Sequence, residues 1–223
     1  MSKLQKLDWL TPVALIVLSL VPVIAGTFRL VQLVVGAQIT DDNVRFFAAP
    51  VPVVLHIVSS VVFCLLGALQ FSCTLRRLRQ GWHRGAGRVL VPCGITSALS
   101  GLWMTQFYSA SEFDGGAYLY AIRLLAGSAM AVVLVLGLIA TYRRDVPSHQ
   151  AWMMCGYALG LAAGTQVLTH LPWFVVPSIY GKLARTLSMA AGWAINLAVA
   201  EWFISRQRQT AQRVIVPGRG AHA

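Results

Sequence analysis

Six ionisable side chains that lie inside or near the ends of long apolar stretches of the sequence are candidates for a functional site. They are four histidines and two arginines: His56, His83, His149, His170, Arg29 and Arg123. Charged and titratable groups are costly at membrane depth, so residues found there usually have a function. Imidazole nitrogens bind iron and other metals, and guanidinium groups pair with carboxylates such as those of haem. The positions of these six residues therefore indicate what chemistry the chain can support.

The composition indicates a membrane protein. Of the 223 residues, 57% are hydrophobic and 11% are charged, and the mean hydropathy is +0.67. Soluble domains are roughly a quarter charged, so a soluble globular fold is excluded. The net charge is +11, but the basic residues form short clusters between apolar stretches, which is typical of topology signals in membrane proteins. We expect membrane lipid around the chain and no nucleic-acid partner.

Six apolar stretches are long enough to cross a bilayer as helices. They lie near 10–35, 51–74, 86–108, 117–142, 151–175 and 186–206. An even number of spans puts both termini on one side, and most of the 18 basic residues fall on that side, which predicts that it is the cytoplasm. We predict an all-α integral membrane bundle of six transmembrane helices in the bacterial inner membrane. One domain covers 1–206, and a mobile cytoplasmic tail covers 207–223.

Two of the histidines share one depth near the outer surface. His56 and His170 each lie five residues from the outer end of predicted helices two and five, about 7.5 Å along the helix axis. Arg123 lies six residues into helix four from the same side, and Arg29 lies in the outer part of helix one. A b-type haem with two axial imidazoles needs histidines at equal depth and cations beside its propionates. We predict an outer haem held by His56 and His170, with Arg29 and Arg123 at its propionates.

A second pair of histidines lies near the inner surface. His83 precedes helix three and His149 begins helix five, so this pair predicts an inner haem. Glu201, in the inner part of helix six, is expected to orient an imidazole or to pair with Arg84 or Arg88. The two predicted haem sites are separated by about 31 Å along helix five. That distance is long for fast electron exchange.

Helix five connects the two predicted sites along one face. His149, Gly156, Ala163 and His170 are spaced by sevens and stay on that face. Helix three has a similar set of small residues, at Gly87, Gly94, Ser97 and Gly101. We expect these small residues to leave room for a macrocycle. The alternative is close helix packing, for which membrane helices commonly use small residues.

Each candidate residue also has a simpler interpretation. The outer histidines are compatible with buried hydrogen-bonding groups, or with a different ligand or metal. The inner histidines are compatible with interfacial residues that contact lipid headgroups. The two arginines are compatible with side chains that extend to the outer surface.

The stretch from His56 through Pro172 resembles a bacterial membrane family known as domain of unknown function 2306. The resemblance rests on short motifs: His56, Gly67 and Gln70 in helix two, His83-Arg84-x-x-Gly87-Arg88 before helix three, and His149-x-x-Trp152-Met153 at the start of helix five. This family resemblance covers about half of the chain and implies no agreed activity. The histidine layout is also similar to that of di-haem membrane cytochromes such as the cytochrome b561 group. Unlike that group, this chain has no histidine in helix four, and helix five would supply ligands to both haems.

These observations predict a membrane protein that binds one or two b-type haems and carries electrons, with a quinone or a partner redox protein as the other reactant. The alternative is a cofactor-free assembly factor, or a protein that binds lipid or quinone. A transporter is less favoured because the sequence lacks paired helix interruptions and an internal repeat. Hydrolase and phosphotransferase motifs are also absent. Any enzyme activity would therefore be that of a membrane oxidoreductase.

Overall fold

The structure, a computed structural model, describes residues 3–109, 116–176 and 181–215. These residues form ten helices and no strand, which confirms the all-α prediction. The helices are α1 (Lys3–Val35), α2 (Val44–Ala48), α3 (Pro50–Leu69), α4 (Cys73–Leu78), α5 (Gln80–Phe107), α6 (Gly116–Tyr142), α7 (Val146–Gly160), α8 (Ala162–Thr169), α9 (Leu171–Val175) and α10 (Lys182–Ile215).

Four helices among the described residues are long and apolar enough to cross a membrane, judged by length and composition. They contain the segments Asp8–Val35, Pro50–Leu69, Gly116–Tyr142 and Lys182–Thr210. The chain is therefore a multi-pass membrane protein. The two other predicted spans correspond to α5 and to the segment from α7 to α9, which carry more polar residues. That these two also cross the bilayer stays a prediction, as does the side on which the termini lie.

The boundaries of predicted helices five and six differ from those in the structure. Helix five is divided into α7, α8 and α9, with interruptions at Leu161 and His170. Helix six continues past 206 to Ile215, because the glutamines, arginines and alanine that follow favour helix even in water. The tail predicted from 207 onward is thus helical as far as Ile215, and 216–223 lie outside the described residues.

Bulky side chains fill glycine positions at the centre of the bundle. Phe63 on α3 lies against Gly94 on α5 and Gly160 on α7, and the fully buried Leu134 on α6 lies against Gly94 and Gly156. A methyl group added at any of these glycines would come within 2.8 Å of the neighbouring side chain. These small residues on α5 and α7 therefore serve helix packing. The expectation that they leave room for a macrocycle is wrong at these positions, because the opposing side chains occupy the space.

Asp8 holds α1 to the short helix α4. Its carboxylate accepts hydrogen bonds from the Ser72 hydroxyl at 2.6 Å and from the backbone N–H groups of Cys73 and Thr74 at 2.7 and 2.9 Å. These N–H groups belong to the first turn of α4, where they have no partner within the helix. Asp8 thus caps a helix that lies far from it in sequence. Elsewhere, α1 packs against α3 and α8, and α10 packs against α7 and α8.

Candidate functional site

A cavity of about 760 Å³ lies in the half of the bundle where α3 begins. We predict that this is the outer end of the molecule. The wall comes from α1, α3, α5, α6, α7, α8 and α10, and α2 contributes Arg45 and Phe46. Most of the wall is apolar, with the polar side chains of His56, Arg123 and Gln166 set into it. A cavity of this size and character suits a cofactor or another small organic molecule.

One edge of the His56 ring is fixed against α5. Its Nδ1 atom lies 2.9 Å from the backbone carbonyl oxygen of Ser97, and a methyl group at Gly101 would come within 3.3 Å of the same edge. A carbonyl oxygen only accepts hydrogen bonds, so Nδ1 carries the proton and donates it. In the neutral ring, Nε2 on the other side is then an acceptor. Nε2 has no hydrogen-bond partner among the described residues, and it is available to a molecule in the cavity.

Hydroxyl groups surround the fixed edge of His56. The Ser100 hydroxyl oxygen is 3.3 Å from His56 Nδ1 and donates to the backbone carbonyl of Thr96 at 2.6 Å. The hydroxyl oxygens of Ser60 and Ser97 are 2.6 Å apart and connect α3 to α5. The imidazole is therefore held by a polar network inside the bundle, where such groups form hydrogen bonds to avoid a desolvation cost.

Gln166 presents its side chain to the cavity in a similar way. Its Nε2 atom donates to the backbone carbonyl of Met189 on α10 at 3.1 Å, and its Cγ fills the space beside Gly192. The amide oxygen Oε1 is left without a hydrogen-bond partner among the described residues. Thr165 and Thr169 also donate from α8 to α10. These hydrogen bonds fix the rotation of α8 and hence the face that lines the cavity.

In the part of the chain that the structure describes, three basic side chains line the cavity: Arg45, Arg123 and Lys182. Arg123 on α6 has its Nη2 atom 4.0 Å from the sulfur of Met189. Arg45 on α2 donates to the backbone carbonyl of Ser109 at 3.2 Å. The structure thus brings Arg123 and His56, both predicted from the sequence, into one cavity.

The two other residues predicted for the outer site lie elsewhere. Arg29 lies over the ring of Phe46, with its guanidinium carbon 4.7 Å from the ring centroid, and donates to Gln32 at 2.7 Å. His170 follows the last residue of α8, and its Nδ1 donates to the backbone carbonyl of Gln166 at 2.6 Å. Neither Arg29 nor His170 belongs to the described cavity wall. The described contacts do not bring His170 to His56, because the ring of His170 bonds to its own helix where that helix ends.

The predicted inner histidines do come together at the opposite end of the bundle. His83 and His149 lie within electrostatic range of each other. His149 Nδ1 donates to the backbone carbonyl of Gly137 at 2.9 Å and is 2.8 Å from the Thr141 hydroxyl. His83 Nδ1 is buried and has no hydrogen-bond partner among the described residues. Burial, together with the charges of Arg76 and His149, holds the pKa of His83 below its ordinary value.

The residues predicted to support the inner pair are exposed. Arg84 and Arg88 lie with His83 in the first turns of α5, which begins earlier than the sequence predicts. Glu201 is exposed on α10 and interacts electrostatically with Cys155 on α7. The pairing of Glu201 with an arginine or an imidazole stays a prediction.

Sequence reasoning missed three of the polar residues that line the cavity. Arg45 and Lys182 fall in predicted loops, where basic residues are ordinary and give no signal. Gln166 is different, because it is a polar residue inside an apolar stretch, four residues before His170. A polar amide inside a membrane costs free energy, as histidine and arginine do. This reasoning would have identified Gln166.

Comparison with known proteins places the chain in a family. A family model described as a predicted membrane protein (DUF2306) matches residues 53–204. No curated protein and no solved structure matches the chain. The matched region contains four of the histidines discussed above and most of the cavity wall, and it confirms the resemblance seen in the short motifs. The chain belongs to the DUF2306 family of predicted membrane proteins.

Proposed function

We propose that this chain binds a small amphipathic molecule, of the quinone or lipid type, in the cavity around His56. One observation carries the proposal: a fixed imidazole acceptor is set into an otherwise mainly apolar cavity of about 760 Å³. The apolar wall suits a ring or a hydrocarbon chain, and a small number of polar groups fixes the orientation of the head. Of the functions that the sequence allows, the binding of an amphipathic molecule is the one that requires only residues lining a single cavity.

The proposal includes the membrane arrangement. Six spans cross a bacterial inner membrane, and both termini lie in the cytoplasm, as the distribution of basic residues favours. The cavity then lies in the outer half of the bilayer. Its occupant is a molecule that partitions into the membrane.

A pair of alanines on α6 provides a direct test. Ala126 lines the cavity, whereas Ala121 is exposed on the same helix. We expect protein purified in mild detergent to carry a bound amphiphile that mass spectrometry of a solvent extract identifies. Ala126→Trp should remove this molecule because the indole fills the cavity, and Ala121→Trp should retain it. Equal retention by both variants would contradict the proposal.

A b-type haem is the second candidate, and the tautomer of His56 favours it. Metal-binding histidines almost always donate their other N–H to a carbonyl or a carboxylate, as His56 does to Ser97. Arg123 would pair with a propionate. Since His170 is not part of the cavity wall, His56 and one of the methionines in the wall would hold the haem. The haem would give the protein the ability to carry electrons.

The inner histidines support the second candidate at a separate site. His149 donates its Nδ1 proton to the backbone carbonyl of Gly137, the same geometry as at His56, and its Nε2 is then an acceptor. His83 lies close by on α5. An inner haem held by His83 and His149 is therefore part of the haem proposal, and it does not depend on the outer cavity.

A further inference from the structure

We infer that the molecule in the cavity presents two hydrogen-bond donors, such as the two hydroxyl groups of a quinol, to His56 and Gln166. The inference rests on the proposed function and specifies the chemistry of its ligand. It follows from the hydrogen bonds that these two side chains make to neighbouring helices.

Both side chains donate a hydrogen bond to the backbone of a neighbouring helix. His56 donates from Nδ1 to the carbonyl of Ser97 on α5, and Gln166 donates from Nε2 to the carbonyl of Met189 on α10. Because a carbonyl oxygen cannot donate, neither side chain can be reversed without the loss of its hydrogen bond. Each residue therefore has a hydrogen-bond acceptor left for the cavity, Nε2 of His56 and Oε1 of Gln166, while the Gln166 amide also keeps a second N–H.

Two acceptors in an apolar cavity select the ligand by its donors. A ligand that covers an acceptor in an apolar cavity removes it from solvent, so a ligand that donates to the acceptor is favoured over one that does not. The carbonyl oxygens of a quinone are themselves acceptors and cannot pair with either atom. The hydroxyl groups of the reduced ring can pair with both. The same chemistry is found in a lipid with two free hydroxyls on its glycerol, so the shared feature is a dihydroxy head on an apolar body.

The basic residues of the wall do not supply this selection. Arg123, Arg45 and Lys182 are donors, and they suit other oxygen atoms of a ligand whether it is oxidised or reduced. The discrimination between hydroxyl and carbonyl therefore depends on the two acceptor atoms, His56 Nε2 and Gln166 Oε1.

Four probes test the inference on the unmodified protein. They are a decyl-substituted hydroquinone, the matching benzoquinone, the matching dimethyl ether, and a monoacylglycerol of similar chain length. Affinities are measured by isothermal titration in detergent under anaerobic conditions. We expect the hydroquinone to bind at least about tenfold more tightly than the quinone and the ether, because a site built for hydroxyl groups rejects analogues that lack them.

Two pairs of variants test the residues. His56→Ala and Gln166→Leu should each reduce the preference for the hydroquinone over its ether by about tenfold or more. The controls are His83→Ala, at the opposite end of the bundle, and Gln38→Leu, at an exposed residue; neither lines the cavity, and both variants should keep the preference. If one of the cavity variants fails to fold, the probe series on the unmodified protein still decides the inference.

The outcomes separate the inference from the proposed function. Equal affinity for the hydroquinone, the quinone and the ether would overturn the inference and leave the cavity as a binding site for amphiphiles. Binding of none of the four probes, together with the absence of a co-purified amphiphile, would overturn both. Tighter binding of the monoacylglycerol than of the hydroquinone would support the inference and identify a lipid as the source of the two hydroxyls.

Discussion

The backbone carbonyl oxygen of Leu18 on α1 occupies the position that a side chain at Gly164 on α8 would take. Pro22 explains why this oxygen is free, since proline has no N–H to donate to the carbonyl four residues before it. The absence of a side chain at Gly164 then lets the two backbones approach closely. Pro22 and Gly164 both line the cavity, so this contact closes one part of its wall.

Substitution of Gly164 should therefore destabilise the protein. The methyl group added in Gly164→Ala would clash with backbone atoms of Leu18, which cannot move away as a flexible side chain can. We therefore expect a loss of about 1–3 kcal/mol in the free energy of unfolding. Thermal unfolding in detergent measures the change. Gly87→Ala is the matched control, because nothing lies within 4 Å of a methyl group there, and it should not lower stability. Similar melting temperatures for the two variants would rule out the close contact.

The haem candidate is tested by the reduced-minus-oxidised absorption spectrum of protein expressed with ample haem. If the outer cavity holds a haem, His56→Ala should remove one haem signal. His83→Ala should leave that signal in place, since His83 lies at the other end of the bundle. His170→Ala should also leave it, because His170 is not part of the cavity wall. Protein with no Soret absorption would eliminate haem at both sites.

Protonation of His83 should destabilise the fold. Burial and the charges of Arg76 and His149 lower its pKa in the folded state, so folding favours the neutral ring. The contribution is complete above the pKa of an unfolded histidine, about 6.5, and is lost as the pH falls below it. We compare the melting temperatures of the unmodified protein and of His83→Gln between about pH 7 and pH 5, a range that includes this pKa. As the pH falls, the melting temperature of the unmodified protein should fall more steeply. Arg76→Gln should make the pH dependence shallower by removing one cause of the shift, and an unchanged slope in both variants would contradict this account.

The predicted orientation is tested by thiol labelling in intact cells, in a version of the chain without its four native cysteines. A cysteine at Lys182, the first residue of α10, should react with an impermeant reagent because the positive-inside rule puts this end outside. A cysteine at Arg144, between α6 and α7, should react only after the cells are opened. The reverse pattern would invert the membrane arrangement and exchange the outer and inner ends.

The sequence by itself determined that this is an all-α membrane protein of the DUF2306 family. A bilayer offers no hydrogen bonds to the backbone, so an apolar stretch of spanning length must satisfy its own peptide groups as a helix. This is why the hydropathy pattern located the helices. The proximity of His83 and His149 was predictable too, because both lie at the start of helices that begin at the same end of the bundle.

Only the tertiary structure decided which side chains share the cavity. Counting residues along a span gives depth but not rotation, so His56 and His170 were expected to meet because their depths agree. In the structure α8 ends before His170, and hydrogen bonds to α10 turn Gln166 toward the cavity instead. The small residues had the same ambiguity, since a glycine provides space equally to a cofactor and to an opposing side chain. Phe63 and Leu134 fill that space, because the packing partner of a helix depends on contacts between residues far apart in the sequence.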